Sequence, residues 1–138
     1  MELDDKLYFE LTELCEEGDN FIEEGDINEA IDKYKKALEL IPNPKYEWEA
    51  STWVYGALGD AYYLNDQYEE AIVCLAEVLK CPDGLENPFI ILRIGQCYFE
   101  IENYDKAEEY LLQAYMLEGE EIFEDEEEKY MDLIRNKI

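Results

Sequence analysis

Gly18, Gly59 and Gly95 constrain this chain more than any other residues. Each is followed three residues later by an aromatic (Phe21, Tyr62, Tyr98) and twelve residues later by an alanine (Ala30, Ala71, Ala107). Three copies of one spacing in register make an internal repeat. A small residue and an aromatic one turn apart share a helix face as notch and knob. The alanine falls on a following helix, where its small side chain lets that helix pack closely against the notch. Tyr34, Leu75 and Leu111 stand four residues after each alanine, and Ala37, Val78 and Ala114 three beyond those. Turn and cap residues lie between: Gly25-Asp26, Asn65-Asp66-Gln67 and Glu102-Asn103. Asp26 with Glu29 has capping-box spacing, and Asn103 is placed to cap a helix. The unit is a helical hairpin used three times.

Taken in order, Leu3, Leu7, Leu11 and Leu14 predict a first helix from near residue 3, ending near Glu24 with Gly25 in the left-handed position. A second helix over 27–41 buries Ile27, Ala30, Ile31, Tyr34, Ala37 and Leu38, and Pro42-Asn43-Pro44 stops it. The third is expected to start early, at Tyr46 or Glu47, and to overhang one end of the array with Trp48. Residues 68–80 form its partner, ended by Cys81-Pro82-Asp83-Gly84; the third hairpin spans 88–102 and 104–118. From Glu118 to Glu128 eight of eleven residues are acidic. Yet Phe123, Tyr130, Met131, Ile134 and Ile138 recur at helical spacing, and Lys129, Arg135 and Lys137 complement a helix C-terminus. These predict a seventh helix laid on the third hairpin, its acidic face solvated.

The pattern resembles the tetratricopeptide repeat family. Gly18, Phe21, Ala30, Tyr34, Ala37 and Pro42 carry the match in the first copy; Leu58, Gly59, Tyr62 and Ala71 in the second; Ile94, Gly95, Tyr98, Ala107 and Ala114 in the third. The resemblance implies an all-α, right-handed superhelical solenoid of about seven helices in a single domain over 1–138. Its repeats would run over 11–44, 52–85 and 88–119, with a capping helix over 121–137. Departures are Glu17 in place of an aliphatic residue, Gly119 where the first copy has Pro42, and copy offsets of 41 and 36 residues against a family period of about 34.

Composition fits a packed chain with an unusual charge. Apolar residues make up 48% and aromatics 14%, which excludes an acidic disordered tail. Eleven basic against 37 acidic residues leave a net charge of −26. That field opposes nucleic acid and anionic membranes and favours cationic partners. Much of it also serves to solvate outer helix faces. There is no long apolar run, and Met1-Glu2-Leu3-Asp4-Asp5 is unlike a signal peptide. Four scattered cysteines, with no Cys-x-x-Cys pair and no histidine, point to a reduced, cytoplasmic setting. They give no basis for a zinc site. No acid pair stands in a catalytic context, no Asp-x-Asp-x-Asp-Gly order marks a calcium loop, and no glycine-rich loop cradles phosphate. The expectation is a module without enzyme activity, metal or cofactor.

The resemblance implies that the first helix of each hairpin lines a concave surface. In the first hairpin the candidates for partner binding are Asp19, Ile22 and Glu23. In the second they are Trp53, Asp60, Tyr63 and Leu64, and in the third Phe89, Leu92, Arg93, Gln96, Phe99 and Glu100. Aromatic anchors among acids suit a basic or basic-apolar protein segment. The alternative is that the superhelix, or the overhang at Trp48, buries these aromatics. Relatives that clamp acidic chaperone tails use cations here, whereas this chain offers Cys15, Asp19, Ala57 and Asp60, with Arg93 the one cation. The reading is therefore a protein-interaction module, monomeric given its charge, with a toxin- or nuclease-neutralising immunity role as its most concrete form. An escort chaperone for a secreted protein segment, or an assembly scaffold, is the alternative.

Overall fold

The computed structural model describes residues 2–82, 84 and 86–138; Asp83 of the expected helix stop lies outside the described residues. The described residues form seven α-helices: α1 (Asp5–Glu24), α2 (Ile27–Glu39), α3 (Glu49–Leu64), α4 (Tyr68–Val78), α5 (Pro88–Glu100), α6 (Tyr104–Glu118) and α7 (Glu128–Ile134). Short 3₁₀ turns occupy Lys45–Glu47, Gly119–Phe123 and Arg135–Lys137. The pairs α1/α2, α3/α4 and α5/α6 pack as antiparallel hairpins, stacked through α2/α3 and α4/α5, with α7 laid on α6.

The notches explain the close pairing. A Cβ added to Gly59 would lie 2.6 Å from Leu75 Cδ2, one on Gly18 2.6 Å from the Tyr34 ring, and one on Gly95 2.9 Å from Leu111 Cδ2. The side chain seated in each notch is thus the one four residues beyond the alanine. Ala30, Ala71 and Ala107 are fully buried all the same, closing the second helix down onto the first.

Each hairpin turns by one device. The residue seven after the notch glycine takes left-handed backbone: Gly25 (φ 82°), Asp66 (φ 60°) and Glu102 (φ 65°). The next residue then donates its N–H to the carbonyl of the repeat aromatic, Asp26 to Phe21 at 2.8 Å, Gln67 to Tyr62 at 2.8 Å and Asn103 to Tyr98 at 2.9 Å. Asp4 caps α1 through Leu7 N, Asn87 caps α5 ahead of Pro88, and Asn103 caps α6 through Lys106 N. The capping box expected at Asp26 does not form, for its side chain makes no cap hydrogen bond.

Two apolar clusters result. The first joins α1 to α4 and takes Ile94 and Cys97 from α5; the second joins Ile91 and Leu92 of α5 to α6 and the C-terminal segment. Two expectations about element ends need correction. The chain from 45 to 47 makes a 3₁₀ turn, and α3 starts only at Glu49, with half-buried Trp48 packed against the first cluster. The C-terminal segment is not one helix over 121–137 but a 3₁₀ turn, a seven-residue helix and a second 3₁₀ turn. Consecutive carboxylates from Glu124 to Glu128 oppose a continuous helix there, because like charges one turn apart repel.

Gly59→Val is expected to lower stability by about 1–3 kcal/mol through overpacking, read by urea denaturation. Leu75→Ala also destabilises, but the double variant should lose less than the two single losses combined. Simple additivity would remove the notch contact as the basis of hairpin pairing.

Candidate functional site

The residue after each notch glycine faces the surface lined by α1, α3 and α5, giving Asp19, Asp60 and Gln96 in register. The first two remain exposed and the third is fully buried. That difference divides the surface into an open part and a covered part.

The open part lies between α1 and α3 as a hollow of about 420 Å³. Ile22, Ala57, Ala61 and Leu64 supply its apolar lining, and Asp19, Glu23 and Asp60 its charge. The Tyr34 hydroxyl donates to Asp19 Oδ1 at 2.5 Å, which fixes that carboxylate. Leu64 is left 53% exposed. No described lysine or arginine lines this hollow.

The covered part centres on Arg93. Its Nε donates to Asp60 Oδ1 at 3.0 Å, and its Nη1 to Gln96 Oε1 at 2.7 Å and Glu126 Oε1 at 3.3 Å. The guanidinium lies over the Tyr63 ring, 4.2 Å from the centroid. Burial acts against the Arg93 charge, but Asp60, Tyr63 and Glu126 outweigh it, so the group is held above its ordinary value. Gln96 Nε2 in turn donates to Glu126. The third hairpin thus receives its acid from the C-terminal segment, over a neutral Gln96. Around this node, the Tyr63 and Tyr130 hydroxyls share a hydrogen bond at 3.2 Å, and Lys129 Nζ pairs with Glu100 at 2.9 Å. Phe99 packs edge-on against Tyr130 with centroids 5.2 Å apart.

Several expected partner-binding residues are therefore occupied within the chain. Leu92 is only 4% exposed and Gln96 not at all, so neither lies on an open surface as expected. Arg93, Phe99 and Glu100 are held by the C-terminal segment, and Tyr63 by Arg93 and Tyr130. Asp19, Glu23, Asp60, Leu64, Trp53 and Phe89 stay exposed, with Ile22 half-buried. The sequence reading missed Glu121, Asp125 and Glu126. They join Phe89, Ile90, Leu92 and Ile122 around a second hollow of about 290 Å³, which Asp60 also lines. A lone arginine among acids was the available signal that a carboxylate elsewhere in the chain would claim it.

The cysteines are not poised for chemistry. Burial pushes the Cys15 and Cys97 thiols up to about 12 and Cys74 to about 11, and raises Cys81 as well. Burial likewise raises the Tyr34, Tyr68 and Tyr130 hydroxyls, with Asp19, Asp66 and Tyr63 as their hydrogen-bond partners. Among the described residues no group of three or more His, Cys, Asp or Glu could hold a metal ion, and no helix is long and apolar enough to cross a membrane.

Arg93→Met is expected to cost about 1.5–3 kcal/mol and to speed amide hydrogen exchange in the segment after Gly119. Unchanged exchange there would mean the ion pairs do not hold the segment. The raised thiols and phenols stabilise the fold fully below their ordinary values of 9.0 and 10.0, because folding favours their protonated forms. The melting temperature should accordingly hold up to about pH 9 and fall as pH rises toward 12. A flat profile over that range would contradict the burial of these groups.

Comparison with known proteins matches tetratricopeptide repeat models to residues 21–84 and 90–121. A human protein, cilia- and flagella-associated protein 70, is 36% identical over 62 residues, which is 44% of this chain and 6% of that protein. Among solved structures, the C-terminal TPR-containing domain of a Plasmodium falciparum FK506-binding protein superposes with a TM-score of 0.78 at 24% identity, covering 98% of this chain and 92% of that one. The Yersinia enterocolitica type III secretion chaperone SycD, in complex with a peptide of the translocator YopD, gives a TM-score of 0.71 at 16% identity, covering 91% and 90%.

Proposed function

The chain belongs to the tetratricopeptide repeat family, and from that premise we propose that it holds an extended, basic-apolar segment of a partner protein in its concave surface. The observation that carries this is the open hollow between α1 and α3, apolar through Ile22, Ala57, Ala61 and Leu64 and charged only by Asp19, Glu23 and Asp60. Apolar side chains of a segment gain from burial there, while lysines or arginines beside them meet the carboxylates of Glu23 and Asp19, next to an Asp60 already paired with Arg93. Asp60 borders both hollows, which favours an extended occupant running from one to the other.

An escort role fits this arrangement better than neutralisation of a toxin or nuclease. A secretion chaperone of the same fold, crystallised with a translocator peptide, supports it, and none of the three relatives named above is described as an inhibitor. The internal use of Arg93 further disfavours acidic tails as ligands, since its Nε and Nη1 donors are engaged by Asp60, Gln96 and Glu126.

The test uses a short fluorescent peptide of leucines flanked by lysines, and its counterpart with glutamates for lysines, followed by anisotropy. The basic peptide is expected to bind, more weakly as salt rises, and the acidic one not to bind. Glu23→Lys with Leu64→Lys should weaken binding roughly tenfold; both side chains are exposed, so the fold is spared. Asp19 and Asp60 are poorer probes, because they also hold Tyr34 and Arg93. Equal binding of the two peptides would remove the groove from the reading.

A further inference from the structure

The beginnings of α1 and α3 enclose a third cleft, of about 330 Å³, away from the Asp60 hollows. Leu3 and Ala50 are its buried apolar base. Tyr8 and Trp53 form an aromatic wall, meeting edge to face with centroids 6.5 Å apart and planes at 76°. Glu2, Asp5 and Glu49 complete the lining. No described lysine or arginine pairs with any of these three carboxylates.

These pieces select one kind of ligand. The core leaves Tyr8 53% and Trp53 40% exposed, so two large rings are available side by side. An edge-to-face pair engages one ring's edge and leaves other ring faces free, and a ring face attracts a cation. Carboxylates alone would favour any small hydrated cation, and rings alone any apolar group. Together they favour a cation with an apolar skin. We propose that this cleft binds an alkylammonium group, the ammonium facing Glu2, Asp5 and Glu49 and its carbons against Tyr8 and Trp53. A lysine side chain of a bound segment and a free quaternary amine share that chemistry.

The test needs no protein partner, so its failure is separate from any failure of the groove reading. Trp53 is the reporter, and Trp48, the second tryptophan, packs half-buried against the first cluster. Choline and N-acetyl-lysine methylamide are titrated against their neutral counterparts, 3,3-dimethylbutanol and the Nε-acetylated lysine amide. A saturable change in tryptophan emission is expected with the cations and not with the neutral compounds. A response to both cations assigns the lysine side chain; a response to choline alone assigns a quaternary amine. Tyr8→Ala, at an exposed position, should weaken the cation about two- to fivefold, with the circular dichroism unchanged. No saturable change with either cation, an equal response to the neutral isosteres, or an unaltered affinity in Tyr8→Ala would overturn the assignment.

Discussion

The seating of Leu75 beside Gly59, and of Tyr34 and Leu111 beside Gly18 and Gly95, decides how closely the paired helices approach. Everything downstream inherits that distance. The left-handed turn falls seven residues beyond the notch in all three hairpins, so the second helix always returns along the same line. The residue after each notch then points into the concave surface, which places Asp19 and Asp60 on adjacent hairpins. A larger residue at any one notch would displace a helix and with it a wall of the surface. The site is in this sense a by-product of three glycines.

Much of this was legible because it is local. Helix faces, turn positions and the limits of α6 follow from spacings within one hairpin, and the turns at Gly25, Asp66 and Glu102 sit among the residues read as turns. The expected anchors split according to range. Asp19, Glu23 and Leu64 stay exposed, Asp19 held by Tyr34 of its own hairpin. Leu92, Gln96 and Phe99 are covered by residues about thirty positions later, and no periodicity announces that Glu126 will cross to Gln96 or Tyr130 to Phe99. Asp26 had capping-box spacing, yet its side chain makes no cap bond, since the turn is already closed by its own N–H donating to Phe21.

The excess of acid is not uniform in its consequences. Where cations exist they are largely drawn into pairs, Lys36 with Asp32, Arg135 with Asp132 and Lys137 with Glu108 toward solvent, and Arg93 and Lys129 in partly buried positions. Exposed pairs of that kind add little to stability. The network at Arg93 differs because it joins α3, α5 and the C-terminal segment through a single side chain. Arg93 offsets part of the charge at Asp60, and Asp19 and Glu23 carry the rest of the acid in the hollow between α1 and α3.

Helix α5 has two inner faces. Ile94 and Cys97 belong to the cluster shared with the first two hairpins, while Ile91 and Leu92 belong to the cluster shared with α6 and the C-terminal segment. It acts as a party wall between two rooms, and neither room can be repacked without moving it. Arg93 stands on that wall, with Asp60 reaching it from one side and Glu126 from the other. An occupant that competes for Asp60 would therefore draw on a contact of the one helix that both clusters share.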